Sequence, residues 1–99
     1  MKLLLLCAGG ASTSILMKKM EKYAEANGID FTVEAHGVSA YEDYVQNFDV
    51  IMLGPQISYK RDTLAQETGK PVGVVASLDY ALGNAENIFN QIKTIYPEE

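Results

Sequence analysis

Leu3-Leu4-Leu5-Leu6 is an unbroken apolar run that ends in Cys7, the only cysteine of the chain. An apolar run with no polar alternation suits a strand covered on both faces, as in a parallel sheet. Ala8-Gly9-Gly10-Ala11 follows, then Ser12-Thr13-Ser14. The three hydroxyl residues are good helix N-cap types. After them Ile15, Leu16, Met20 and Tyr23 recur at helical spacing, with Lys18, Lys19, Glu21 and Lys22 interleaved. Asn27-Gly28 is a stop signal for that helix.

The same strand-then-helix unit recurs along the chain. Phe31 to Ala35 reads as a second strand, and residues 37–48 are mixed, with one short helix around Tyr41 to Val45. Asp49 to Leu53 is a third strand stopped by Gly54-Pro55. Ile57 to Thr68 reads as a helix ending at Gly69, and Val72 to Val75 as a fourth strand. Asn84 caps a last helix carrying Ile88, Phe89, Ile92 and Ile95, with Pro97 beyond its end. Alternation of this kind predicts an α/β fold: a four-stranded open parallel sheet with helices on both faces. Right-handed crossovers favour the strand order 2-1-3-4. With no linker and no internal repeat, residues 1–99 are expected to form a single domain.

Composition removes several classes of function. Only 21% of the residues are charged and nearly half are hydrophobic, a globular balance. The formal net charge is −5 with no basic cluster, so nucleic acid is not an expected partner. A lone cysteine makes no internal disulfide, which suits a reducing, cytoplasmic setting. No apolar run approaches the roughly 18 residues of a spanning helix, so no membrane insertion is expected. Four apolar residues separate Lys2 from Cys7. A secretory signal needs an apolar region of about 7–15, so the start reads as mature and folded.

In open parallel sheets, ligands bind at the carboxyl ends of the strands, where the strand order reverses. Here those ends are Cys7 to Ser14 after strand 1 and Gly54-Pro55-Gln56 after strand 3. The loop is built for an anion. Gly9 and Gly10 permit close backbone approach, and successive N–H groups form a cradle. The helix start adds partial positive charge, and Ser12, Thr13 and Ser14 add donors. The loop thus reads as a phosphate site formed by Ala8, Gly9, Gly10, Ala11, Ser12, Thr13 and Ser14, with Cys7 at its base as nucleophile. The plainer alternative is a buried cysteine that merely ends a strand; a packing cysteine, however, has no use for such a loop.

Two families carry a cysteine in this setting. In the low-molecular-weight tyrosine phosphatases, the cysteine is followed by five residues, then Arg, then Ser or Thr. Thr13 and Ser14 occupy those last two positions, so the bidentate arginine clamp is missing. The chain more closely resembles the enzyme IIB component of the phosphoenolpyruvate-dependent sugar phosphotransferase system, in its lactose/cellobiose/chitobiose branch. Leu6 to Ser14 is similar to that branch's phosphocysteine loop. Asp49-Val50-Ile51-Met52-Leu53-Gly54-Pro55-Gln56-Ile57-Ser58-Tyr59 is similar to its third strand and following turn. The resemblance implies a phosphocarrier. A phosphohistidine on enzyme IIA would phosphorylate Cys7. The phosphocysteine would then pass the group to a sugar held by the membrane enzyme IIC, a β-linked disaccharide such as cellobiose, chitobiose or lactose. It further implies a cytoplasmic protein recruited to the inner face of the membrane by enzyme IIC. No metal site or cofactor is expected. The alternatives are a cysteine-dependent phosphatase and a non-catalytic anion-sensing domain.

Four further residues enter as candidates. Gln56 either touches the phosphoryl group or its donor, or completes a turn. Tyr59 is a candidate docking residue. His36, the only histidine, follows strand 2 and reads as a surface loop residue. Asp79 lies roughly where phosphatases of this fold carry a general acid, but it lacks the adjacent proline of that motif and reads as a polar loop residue.

Overall fold

The computed structural model describes residues 1–8 and 13–96. Four parallel strands, β1 (Lys2–Cys7), β2 (Thr32–Gly37), β3 (Val50–Leu53) and β4 (Val72–Val74), form one sheet in the order β2-β1-β3-β4. This is the order expected from the alternation of elements. Helix α1 (Thr13–Ala26) links β1 to β2. Three short turns of helix, with α2 (Tyr41–Tyr44) at their centre, link β2 to β3. A 3₁₀ segment (Pro55–Lys60) and α3 (Arg61–Thr68) link β3 to β4, and α4 (Ser77–Leu82) and α5 (Ala85–Ile95) complete the chain.

The two central strands divide the core in two. Leu3 and Leu5 of β1, with Val50 and Met52 of β3, pack against Leu16, Met20 and Ala24 of α1 and Ile88, Phe89 and Ile92 of α5. Leu4 and Leu6, with Ile51 and Leu53, pack on the opposite face against Val45, Phe48, Ile57 and Leu64. Alternate side chains of a strand point to opposite faces, so a strand covered twice must be apolar at every position. Leu3 to Leu6 meet that demand, each at most 1% exposed. The aromatic ring of Phe89 meets Phe31 edge-on at 4.7 Å and stacks on Tyr23 at 5.2 Å, tying α5 to α1 and to the start of β2.

Several element bounds differ from those expected, and one helix was not expected at all. Asp49 stands just before β3: its carboxylate accepts the Lys2 N–H at 2.8 Å, and its own N–H donates to the Lys2 carbonyl at 2.8 Å. The second strand runs on through His36 to Gly37, since β1 pairs with it as far as Cys7 opposite Gly37. The helix expected from Ile57 is α-helical only from Arg61. Its first part is 3₁₀, with Pro55 in the first turn and Ile57 at the non-helical φ −120°, ψ 27°. The Ile57 N–H closes a tight turn onto the Gly54 carbonyl, which places the Ile57 side chain in the core. Helix α4 was not expected; it contains no buried residue and so writes no apolar stripe into the sequence.

Away from the carboxyl end of the sheet, Tyr41 donates a short hydrogen bond to Glu67, joining α2 to α3. That bond, with the adjacent negative charge, pushes the phenol up to about 12 from 10.0. The stabilisation is therefore fully present below pH 10 and is lost as pH rises through about 12.

Truncating a fully buried strand residue and an exposed helix residue should have very different costs. We expect Leu5→Ala to lower stability by about 2–5 kcal/mol, and Leu82→Ala to change it by no more than about 0.5 kcal/mol. Urea unfolding followed by circular dichroism checks both values; equal midpoints would contradict the division of the core described above.

Candidate functional site

Parallel registry brings three strand ends level. Cys7 of β1 lies opposite Gly37 of β2, and Leu6 lies opposite Leu53 of β3. From β1 the chain turns into α1 on one face of the sheet; from β3 it turns into the 3₁₀ segment and α3 on the other. A crevice between β1 and β3 at the carboxyl edge is the position where such sheets bind ligands.

Cys7 is the last residue of β1 and is 6% exposed. Its thiol donates to the His36 carbonyl at 3.7 Å, a long contact typical of sulfur. Helix α1 begins at Thr13, with Ser14 exposed in its first turn. The first amides of a helix have no partner within the helix, so this N-terminus offers donors just beyond Cys7. Ala8 is exposed beside the thiol. Gly9, Gly10, Ala11 and Ser12 of the expected phosphate loop, and the Thr13 side chain, lie outside the described residues.

The β3 side of the crevice is tightly built. The Gly54 N–H donates to the Leu6 carbonyl at 2.9 Å, prolonging the β1–β3 ladder by one residue. A Cβ at Gly54 would sit 2.8 Å from Gln56 Oε1, 3.6 Å from the Tyr80 ring and 3.8 Å from the Leu6 carbonyl. A side chain there would have to displace the Gln56 amide, and the backbone φ is an ordinary −60°. Gln56 and Tyr80 converge on this corner, one residue from the strand position preceding Cys7.

The other candidates are placed differently. The His36 imidazole stacks on Tyr44 at 3.6 Å, with the planes 9° apart, and its Nε2 pairs with Glu34 at 3.1 Å. It is the backbone of His36, not its ring, that meets Cys7. Asp79 lies on α4, and its carboxylate accepts the Asn87 side-chain amide at 3.0 Å, which ties α4 to α5. Tyr59 is 76% exposed on the 3₁₀ segment, with Lys60 Nζ 5.8 Å from its ring centre.

Sequence reasoning passed over Tyr80, Lys19 and Gly83. Lys19 Nζ donates to the Leu82 carbonyl at 3.1 Å, and its stem lies so close to Gly83 that a Cβ there would meet it at 2.6 Å. The one available signal was Gly83 itself, a helix stop four residues after Asp79.

Fold and site together define a class: small parallel α/β proteins with a cysteine at the carboxyl end of a central strand, followed in sequence by a helix. Comparison with known proteins narrows it. Residues 2–91 match the family model for the lactose/cellobiose-specific IIB subunit of the phosphotransferase system. The cellobiose-specific EIIB component of Lactococcus lactis is 33% identical, over 87% of this chain and 94% of its own length. The oligo-β-mannoside-specific EIIB component of Bacillus subtilis is 29% identical, over 91% and 90%. The solution structure of a cellobiose-specific IIB component from Borrelia burgdorferi superposes with a TM-score of 0.76 at 32% identity, covering 96% of this chain and 91% of that one. The chain belongs to the lactose/cellobiose-specific IIB family of the phosphotransferase system. It is a sugar phosphotransferase component, a phosphotransfer subunit of a sugar-uptake system.

The site's geometry leads to a direct expectation. On titration with inorganic phosphate, amide resonances between Ala8 and Ser14 should shift first, while those around the His36–Tyr44 stack stay still. Shifts centred on His36 would contradict the placement of the anion site.

Proposed function

We propose that Cys7 carries the phosphoryl group. A phosphohistidine on enzyme IIA is the donor, and a sugar bound by the membrane enzyme IIC is the acceptor. In the first step the Cys7 sulfur attacks phosphorus, the P–N bond breaks, and the thiol proton ends on the released imidazole. In the second a sugar hydroxyl attacks, the S–P bond breaks, and Cys7 is returned as the thiol. The observation that carries this reading is the position of the chain's only thiol. It ends a central strand at the sheet's switch point, immediately before a helix N-terminus.

Phosphoryl transfer spreads negative charge over three equatorial oxygens, so catalysis is mainly positioning and electrostatics. The amides from Ala8 to Ser14 supply donors for those oxygens. In the thiol form the Cys7 S–H donates to the His36 carbonyl; phosphorylation removes that proton and with it the hydrogen bond. Gln56, exposed just after β3, is available to orient the incoming group, and Tyr59 is available to a docking partner.

Support for enzyme IIC as partner comes from the lactose-specific EIICB component of Lactococcus lactis. It matches 68% of this chain over 12% of its own length, so there a IIB segment shares one polypeptide with IIC. Among the described residues no helix is long and apolar enough to cross a membrane. A single IIB domain over residues 1–99, cytoplasmic and brought to the inner membrane face by enzyme IIC, accommodates these observations. The sugar is a β-linked disaccharide or a related β-glycoside, in line with the cellobiose and oligo-β-mannoside names of the relatives.

A carrier must shield its phosphocysteine from water, whereas a phosphatase must hydrolyse it. Thr13 stands where a phosphatase has its clamping arginine, and Asp79 is turned to Asn87. Loss of one such charge-stabilising group typically costs about 10²–10³ in rate. Phosphorylated protein should therefore persist in buffer, turn over para-nitrophenyl phosphate negligibly, and discharge when enzyme IIC vesicles and sugar are added. Cys7→Ser should abolish sugar phosphorylation with an unchanged circular dichroism spectrum. Transfer retained by a folded Cys7→Ser protein would overturn the assignment.

A further inference from the structure

Helix α4 is anchored at several points although it has no fully buried residue. Lys19 Nζ of α1 donates to the Leu82 carbonyl at 3.1 Å. The Asp79 carboxylate accepts the Asn87 side-chain amide at 3.0 Å, and the Asp79 carbonyl accepts the Asn84 N–H at 2.9 Å, which ties α4 to the start of α5. Leu78 and Leu82 stay exposed, so the anchoring does not serve to bury an apolar face. A helix of six residues is not stable by itself. The reason for holding it lies in what it presents.

It presents Tyr80. This half-buried ring is the α4 side chain that packs against the core cluster containing Leu16 and Val75. One edge of the ring faces Gly54, where a Cβ would lie 3.6 Å from Tyr80 Cε1. The ring also lines, with Ile15 and Leu16 of α1, a groove of about 200 Å³. Among the described residues the Tyr80 hydroxyl has no hydrogen-bond partner, and its oxygen is not buried.

Tyr80 thus stands between two segments that flank the reaction centre. The Gly54 N–H holds the carbonyl of Leu6, the residue before Cys7. Ile15 and Leu16 belong to the first turn of the helix that follows the cysteine loop. Lys19 fixes the distance from α1 to α4, and the Tyr80 ring fixes the distance from α4 to the end of β3. An aromatic ring suits this task because it is rigid and has few torsions to restrain.

We propose that Tyr80 is a positioning residue of the Cys7 site: carried by α4, its ring sets the spacing between the end of β3 and the first turn of α1, and with it the width of the crevice where Cys7 meets the phosphoryl group. This rests on the phosphocarrier reading above and adds to it a residue that acts through Gly54 and α1 without touching phosphate. Phosphoryl transfer is mainly positioning, and a misplacement of about 1 Å can cost about 10² in rate. Transfer onto Cys7 and transfer from it use one crevice, so both depend on the ring.

The test uses the whole chain, phosphorylated enzyme IIA of a lactose/cellobiose system, and vesicles containing enzyme IIC with its sugar. Tyr80→Phe keeps the ring and removes the hydroxyl; Tyr80→Leu keeps an apolar side chain and removes the ring. Circular dichroism establishes that each is folded. Tyr80→Phe should run both steps within about twofold of the unaltered chain. Tyr80→Leu should slow both by about tenfold or more at saturating partner, with half-saturating concentrations changed by less than about threefold. Lys19→Met frees α4 from α1 at an exposed position; it should slow both steps in the same way, and it decides the matter if Tyr80→Leu does not fold. Normal rates in the folded Tyr80→Leu or Lys19→Met protein would overturn the proposal. So would a Tyr80→Phe protein as slow as Tyr80→Leu, since the hydroxyl would then act directly. A loss confined to one step, or to the half-saturating concentrations, would overturn it too, by making Tyr80 a docking residue. If the unaltered chain accepts no phosphate from enzyme IIA, the phosphocarrier reading itself fails. Inorganic phosphate, titrated against amide shifts, then tests the spacing alone. Binding about tenfold weaker in Tyr80→Leu and unchanged in Tyr80→Phe supports it; equal binding in all three, or none, overturns it.

Discussion

Leu3, Leu4, Leu5 and Leu6 are buried alternately against α1 and α5 on one face and against Val45, Phe48, Ile57 and Leu64 on the other. A strand so enclosed cannot slide, because a slip of one residue would exchange its two faces and misplace every contact. Cys7 is therefore held at one height at the carboxyl edge. Registry with Gly37 and the Gly54–Leu6 hydrogen bond then bring the ends of β2 and β3 level with it. The thiol owes its place to packing several residues away.

That arrangement separates two demands on one small protein. In the proposed carrier, affinity for phosphate would fall to backbone donors at the start of α1, where no side-chain charge is needed. Stability falls to the two apolar cores, none of whose members is ionisable apart from half-buried tyrosines. The ionisable groups near the edge are occupied elsewhere, Asp79 with Asn87 and the His36 ring with Glu34 and Tyr44. What reaches Cys7 from β2 is a main-chain carbonyl, a partner for a thiol and not for a phosphorylated sulfur.

The sheet and its order were legible in the sequence because doubly buried strands must be apolar throughout, and β1 and β3 are. The end of α1 and the cap of α5 were legible for an equally local reason: Asn27-Gly28 breaks the helix, and the Asn84 side chain accepts the Asn87 N–H. Helix α4 was not, since periodicity reports burial and α4 has no fully buried residue, only the half-buried Tyr80. The stretch from Ile57 reads as helix in the sequence because Ile57 faces the core at a helix-like spacing from Leu64, yet up to Lys60 it is 3₁₀ and the Ile57 backbone is not helical. Of the site, the cysteine, the strand ends and the helix start could be read from residue types alone. The Lys19–Leu82 bond and the Tyr80–Gly54 approach could not, because they join residues 63 and 26 positions apart through contacts that leave no local pattern.

The central claim is that Cys7 is the residue that carries phosphate between two proteins. Intact-mass and peptide-level mass spectrometry after incubation with phosphorylated enzyme IIA tests it most directly. One phosphoryl group should be added per chain, located on the peptide containing Cys7, stable on standing, and lost when enzyme IIC and sugar are supplied. Phosphate found on His36 or on the hydroxyls of residues 12–14 with Cys7 unmodified would contradict the account.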